Sequence, residues 1–253
     1  MAKPDFEYEK KYWEQGVEFV IGIDEVGRGC FAGPLVVGAV AFAPKVKQFS
    51  NLPAGKAGLA IEQLGIDDSK RLKPKERERL AREIKKYALA WDITEVGVSV
   101  INRIGIGKAT EKAMRKAVRD ITKAMGCVMG YGGEIEKPTP TTHPRPITHN
   151  SSSSLFILTD FYNIPYLRGV GLKNQKGIKK GDQKSISIAA ASILAKVYRD
   201  KLMLRLSEKH KKYGWGRNKG YGTKEHQEAI LRYGLTRHHR KQFVRTWVEK
   251  RAV

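Results

Sequence analysis

Apolar and polar positions along the chain change period several times, and each change marks an element. Val17 to Ile23 (VEFVIGI) is apolar and β-branched, runs into the acidic pair Asp24 and Glu25, and is followed by the bend GRGCFAG. That pattern predicts a strand entering a turn. Pro34 to Phe42 (PLVVGAVAF) predicts a second strand, so an antiparallel hairpin with a wide, functional loop is expected. From Pro74 to Leu89 the apolar Leu80, Ile84 and Leu89 stand among charges behind a proline suited to a first helical position, the spacing of an amphipathic helix. Trp91 to Val100 alternates like a half-buried strand, and Ile106 to Met125 returns to helical spacing, with Ala113, Ala117 and Ile121 on one side.

Leu155 to Thr159 (LFILT) reads as a buried strand closing on Asp160, and the basic stretch KNQKGIKKGD follows it. A long helix is expected from about Ser185 to Lys211, with Ala189, Ala190, Ala191 and Ala195 permitting close packing. Short basic helices should follow, broken at Gly214 to Gly222 and near Gly234. Strands alternating with helices indicate an α/β protein. Residues 45 to 66 have no clear period. Cys127 to Ser154 combines Gly-Gly, four prolines, His143, His149 and four consecutive serines, and is expected to be a mobile surface insertion.

Composition narrows the function classes. With 253 residues, 41% hydrophobic and 29% charged, the chain can bury a sizeable core and is neither disordered nor fibrous. Its longest uncharged run, Gly29 to Pro44, holds 16 residues and is interrupted by glycine and proline, too short for the ~20 apolar residues of a membrane span. The charged N-terminus has no secretory apolar core, and two cysteines, Cys30 and Cys127, make no disulfide framework, so a cytoplasmic protein is expected. The 48 Lys and Arg against 26 Asp and Glu leave +22, which calls for a polyanionic partner. Lys173 to Val253 holds 22 bases against 6 acids, +16 of that excess, so the C-terminal third is the expected grip on phosphates.

Against this basic background, four carboxylates sit where elements end: Asp24, Glu25, Asp160 and Asp182. Clustered acids repel and raise one another's pKa. A hard divalent cation such as Mg²⁺ resolves that conflict and, in paired sites, stabilises the attacking and leaving oxygens of a phosphodiester. A purely RNA- or ribosome-binding module would explain the basic charge but not the acids. Any one of these acids, Asp182 especially, is also placed as a helix cap or ion-pair partner. Asp200, at least 15 residues into the long helix, is too far from Asp182 to share a metal site and is expected to pair with a base. Asp24 and Glu25 are strand neighbours pointing to opposite faces, so their joint use needs a distorted strand or a backbone carbonyl in place of one side chain. Ser69 could cap the helix that follows, and Lys70 could hold phosphate or simply be solvated.

The blocks IDEVGRGCFAGPLVVGAV, DSKRL, KGD with SIAAASILAKVYRD, and GYGTKEH together resemble type 2 ribonuclease H, of the bacterial ribonuclease HII group. The resemblance implies an RNase H-like mixed sheet flanked by helices over residues 1–205, within which the insertion at 127–154 is longer than the family leads one to expect, and a helical C-terminal extension, the basic region over 206–253. It implies Mg²⁺- or Mn²⁺-dependent hydrolysis of the RNA strand of RNA/DNA hybrids and of single ribonucleotides embedded in duplex DNA, by a monomer. By motif position, the metal carboxylates fall on Asp24, Glu25, Asp160 and Asp182, and the ribonucleotide-reading bend on Gly27, Arg28 and Gly29. The phosphate-contacting segment falls on Ser69 and Lys70, and the tyrosine that stacks on the following sugar on Tyr221. Phe161 stands where the family has glycine after the third acid.

Overall fold

The protein is described by a computed structural model over residues 3–42, 61–126, 154–167 and 169–251. The predicted insertion, with Cys127, His143 and His149, falls outside the described residues apart from Ser154. Strands β1 (Phe19–Val26), β2 (Leu35–Phe42), β3 (Ala90–Val96), β4 (Leu155–Asp160) and β5 (Gln175–Ile178) form one sheet in the order β3-β2-β1-β4-β5. The first three are antiparallel neighbours, as the hairpin pattern requires, while β4 and β5 run parallel to β1. The helices lying wholly within the described residues are α1 (Glu7–Glu14), α2 (Pro74–Tyr87), α3 (Val98–Ile104), α4 (Ile106–Ala124), α5 (Ile186–Lys209), α6 (Trp215–Asn218), α7 (Lys224–Tyr233) and α8 (Lys241–Glu249). None of the described helices is long and apolar enough to cross a membrane.

Strand periodicity divides the core. Phe19, Ile21 and Ile23 of β1 meet Ala113, Ala117 and Ile121 of α4 on one face. Val40 and Phe42 of β2 share the other with α2 (Leu80, Ile84) and α5 (Ala190, Ile193, Leu194). A side chain at Gly22 would place its Cβ 2.1 Å from the Ser187 carbonyl carbon, and one at Gly38 would lie 2.2 Å from the Ala191 carbonyl oxygen. The alanine-rich helix therefore rests on the hairpin at backbone distance, which only glycine beneath it permits.

Four stretches differ from the sequence expectation. β1 extends through Asp24 and Glu25 to Val26, because hydrogen bonding to β2 carries it past the apolar run. β3 ends at Val96, and Val98–Ile104 turns helical behind Gly97, burying Val98 and Ile101 three residues apart; a short alternating run does not distinguish strand from helix by period alone. β5 lies in the basic stretch for which the sequence predicts no element, and within the strand only Gln175 and Ile178 are buried; a polar, lysine-bearing edge strand lacks the usual apolar signal. Helix α1 emerges from the charged N-terminus. Its Tyr12 stacks on Phe156 at 3.7 Å between ring centroids, and its buried Glu9 accepts the Ser185 hydroxyl (2.6 Å) and the Ser187 N–H (2.9 Å). That carboxylate thus sits on the exposed donors at the start of α5.

The close approach of α5 is testable by filling it. Gly22→Ala should lower stability by about 1 to 3 kcal/mol, because the obstructing atoms are backbone. Gly107→Ala, in α4 where an added Cβ would meet nothing within 4 Å, should instead raise it by about 0.5 to 1 kcal/mol. Urea midpoints of both variants against wild type decide the matter.

Candidate active site

Parallel pairing of Ile23 with Thr159 makes Asp24 and Asp160 the next positions on adjacent strands, so the two acids stand side by side at one end of the sheet. β1 continues against β2 through Asp24, Glu25 and Val26 in unbroken register, so strand distortion does not bring the acidic pair together. Asp24 turns to the α5 face, beside Ser192; Glu25 turns to the other, where its Oε1 accepts Arg28 Nη1 at 3.2 Å. Both still line one cleft of about 610 Å³, because it opens at the sheet's end, where the two faces meet.

Asp182 is not a helix cap. It lies buried in a 3-10 turn, Gly181–Gln183, while Ser185 caps α5 by accepting the Ile188 N–H. The turn is tied to the sheet where Gly181 N–H donates to Asp160 Oδ1 at 2.8 Å. Lys70 Nζ lies 3.0 Å from Asp182 Oδ2 and 3.9 Å from Asp68 Oδ1, so this lysine is neither merely solvated nor free. Ser69 does not cap α2, whose N-cap is Lys73; it is buried, with its hydroxyl 3.0 Å from that of Ser192. Asp68, which opens the DSKRL block but to which the sequence assigns no role, accepts Lys70 N–H (2.9 Å) and the Gln183 Nε2 amide (3.0 Å) and so joins that block to the Asp182 turn. Asp200 pairs with Arg77 (3.4 Å) and Lys196 (2.9 Å), and those two bases line the cleft.

Burial is the first cause of the altered proton affinity of Asp24, Glu25 and Asp160, and repulsion from neighbouring acids adds to it. Asp24 is pushed well above the ordinary aspartate range by burial, then by Glu25, with Asp160 and Asp182 adding to the rise and Ser192 opposing it. Burial also raises Asp160, against the Gly181 N–H, and Glu25, against Arg28. Burial would lower Lys70, but Asp182, Asp68 and Asp24 outweigh it and hold the ammonium charged. Glu25 Oε2 is buried without a hydrogen-bond partner. Among the described residues no group of three or more His, Cys, Asp or Glu side chains is gathered as around an ion; Lys70 and Arg28 draw two of these carboxylates toward themselves. As a donor set, buried and half-buried carboxylates with one orphaned oxygen suit a hard divalent cation.

The opposite wall is the β1–β2 loop. Gly27 adopts φ 90°, and a Cβ there would fall 2.1 Å from Arg199 Nε. Arg199, fully buried, donates to the carbonyls of Pro34 (3.0 Å), Ala32 (3.2 Å) and Lys219 (2.9 Å). Arg240, equally buried, donates to those of Gly33 (3.0 Å) and Arg28 (2.9 Å). A trans peptide points its N–H opposite its C=O, so drawing the Arg28 carbonyl inward leaves the Gly29 N–H on the other side, and Gly29 lines the cleft. Tyr221, 40% exposed, completes that wall, with Arg199 5.9 Å from its ring. The structure thus brings Asp24, Glu25, Asp160, Gly27, Arg28 and Gly29 to one cleft with Ser69, Lys70 and Tyr221, and Lys70 links Asp182 to it. Tyr162, unremarked in the sequence, holds Arg28 Nη1 through its hydroxyl at 2.8 Å.

A family model described as Ribonuclease HII matches residues 21–128 and 170–249. The chain belongs to the ribonuclease HII family. A ribonuclease HII from Alkaliphilus metalliredigens is 39% identical over 239 residues, 94% of this chain and 96% of its own length. One from Caldanaerobacter subterraneus subsp. tengcongensis is 40% identical over 96% of this chain and 79% of its own. Among solved structures, ribonuclease H2 from Pyrococcus horikoshii matches with a TM-score of 0.62 at 22% identity, over 92% of this chain and 98% of that one. Bst-RNase HIII in complex with Mn²⁺ matches with a TM-score of 0.58 at 20% identity, over 90% and 65%. The mixed sheet with its flanking helices is therefore the RNase H-like fold, and the protein is an enzyme, a type 2 ribonuclease H.

Crowding of the acids in this ribonuclease carries a stability cost that can be measured. A carboxyl whose folded pKa is raised makes the native state lose stability as pH rises from the unfolded value toward the folded one. In chelator-treated buffer at pH 7, Asp24→Asn should therefore stabilise the protein by about 1 to 3 kcal/mol. The gain should shrink as pH falls toward 3.8, the ordinary aspartate value. Thermal melts of both proteins across that range test it.

Proposed function

We propose that the enzyme hydrolyses the RNA strand of RNA/DNA hybrids, the reaction its family name denotes, and also cuts 5′ of single ribonucleotides embedded in duplex DNA, leaving 5′-phosphate and 3′-hydroxyl ends. The observation that carries this reading is the crowding of buried and half-buried acids at one sheet end inside a cleft that Lys70, Arg77, Lys196 and Arg28 also line. A cleft that attracts phosphates has no use for concentrated negative charge unless a cation joins the two. Asp24, Glu25, Asp160 and Asp182 would hold Mg²⁺ or Mn²⁺. When bound, such ions supply an activated water and charge neutralisation at the departing 3′-oxygen.

The chain's own residues do the rest. Lys70, kept charged by Asp182, together with Arg77 and Lys196 draws the phosphate backbone into the cleft. The Gly27–Gly29 backbone, held by the two buried arginines, offers an N–H to the 2′-hydroxyl, the group that tells RNA from DNA. Tyr221 presents its ring to the sugar beyond the ribonucleotide. The basic segment over 206–253 acts as the C-terminal grip, its helices packed on Ala32 of the reading loop and Met203 of α5.

The deciding assay uses a DNA duplex with one embedded ribonucleotide. Wild type should nick it in Mg²⁺ or Mn²⁺, while Asp24→Asn should bind it and fail to cut; near-normal turnover by that variant in saturating metal would refute the metal-site assignment. Tyr221→Ala should lower kcat/KM on this substrate by about 5- to 150-fold, the equivalent of ~1 to 3 kcal/mol of stacking. The loss on a continuous hybrid should be smaller, and Tyr221→Phe should recover most of the activity. Equal losses on both substrates would reduce Tyr221 to a packing residue.

A further inference from the structure

Behind Tyr221 lies a buried histidine pair whose proton positions are dictated by its neighbours. His226 Nδ1 is 2.9 Å from the Tyr221 carbonyl oxygen, which can only accept, so Nδ1 carries the proton. Its Nε2 is then an acceptor, and it receives the Trp215 indole N–H at 3.0 Å. His239 Nδ1 accepts the backbone N–H of Thr236 at 2.9 Å, which places the His239 proton on Nε2, 3.2 Å from His226 Nε2. Donors therefore run in one direction: Thr236 N–H to His239, the His239 N–H to the single His226 Nε2 lone pair that it shares with the Trp215 indole, and His226 to the carbonyl of Tyr221. The same assignment leaves no free lone pair on His239 Nε2, so the two rings are not a metal site.

An additional proton on either ring would set one N–H against another. Both rings are fully buried. Burial first, then His226 and the other nearby histidines, brings His239 down to about 4, and burial likewise lowers His226 against its bond to Tyr221 and the Glu225 charge. The pair is neutral and its direction fixed at neutral pH.

The far end of this chain of bonds is anchored in the catalytic body. Asn102 of α3 donates to the His239 carbonyl at 3.1 Å, and Ala32 of the reading loop forms a β-bridge with His239. Arg240, the next residue, holds the carbonyls of Arg28 and Gly33. One dipeptide, His239–Arg240, thus reaches both parts of the cleft wall opposite the acids: the glycine bend directly and Tyr221 through His226.

We propose that His226 and His239 are positioning residues that hold Tyr221 against the substrate, through the tautomer-locked bond from His226 to the Tyr221 carbonyl. The proposal rests on the reading of Tyr221 as a substrate contact. Two measurements on the full-length enzyme test it. Long-range ¹⁵N–¹H correlations of ¹⁵N-histidine-labelled wild type at pH 7 should show His226 as the Nδ1–H tautomer and His239 as Nε2–H; the reverse assignment overturns the proposal without any variant needing to fold.

The second measurement separates positioning from general support. In His226→Asn the amide nitrogen stands near the place of Nδ1 and can keep the bond to Tyr221, whereas in His226→Gln the amide stands near Nε2 and the bond is lost. On the single-ribonucleotide duplex, His226→Gln should raise KM by about 2- to 10-fold, the cost of one hydrogen bond, with kcat little changed. His226→Asn should keep KM close to wild type. A merely structural histidine would affect both variants alike, and equal KM values in the two overturn the proposal. Tyr221→Ala, run alongside, separates the failures: a raised KM there without a Gln–Asn difference sinks the positioning role alone, and an unchanged KM there sinks the reading of Tyr221 and the positioning role with it.

Discussion

The approach of α5 to the β1–β2 hairpin is the constraint on which the site depends. Gly22 and Gly38 let the helix backbone touch the sheet, and this contact carries Ser192 to Asp24, sets the Asp182 turn at the end of β4, and brings Arg199 under the loop between the strands. Were the helix held off by ordinary side-chain layers, ~10 Å from the sheet axis to axis or more, Arg199 would not reach the carbonyls of Ala32 and Pro34. Glu9 on α1 fixes the start of the same helix by filling its exposed donors. A single element thus ties the acidic wall of the cleft to the β1–β2 loop that forms the opposite wall.

Electrostatics then divides those walls. On one side, buried carboxylates raise one another's pKa and are partly relieved by Lys70 and Arg28. On the other, Arg199 and Arg240 are buried against carbonyls rather than acids, and Arg240 is lowered to about 10 by its burial. Guanidinium groups suit this task because their planar array of donors can hold several carbonyls at once. The loop is held as a surface of backbone groups with its carbonyls turned inward, a preorganised state in which ligand binding need not order it.

The C-terminal helices do more than add positive charge. Trp215, Tyr213, Ile230 and Val244 pack with Ala32 and Met203, so the basic segment is built onto the β1–β2 loop. The His226–His239 pair and Arg240 are the polar part of that same junction. Burial makes each of these bonds directional, because a mispaired donor in a low-dielectric interior is costly.

The central strands, the long alanine-rich helix and the amphipathic α2 and α4 were legible along the chain, since each repeats its apolar positions at the period of its own backbone. The acids at element ends, the glycine bend and the basic C-terminal charge were legible too, as were the blocks that mark the family. Helix α1 and edge strand β5 were not: both are mostly polar, and their burial comes from partners far away in sequence, Phe156 for Tyr12 and β4 for Ile178. Which acid faces which side was decided by sheet register, which kept β1 regular and parted Asp24 from Glu25. Asp68 in its place beside the Asp182 turn, Ser69 on Ser192, and the two arginines on the loop all join residues more than 100 positions apart. Sequence alone determined which segments have a face to bury and which chemistry they carry. Only tertiary packing decided which carbonyl, carboxylate or ring each polar group would meet, because a hydrogen bond depends on position and direction in space and leaves no period along the chain.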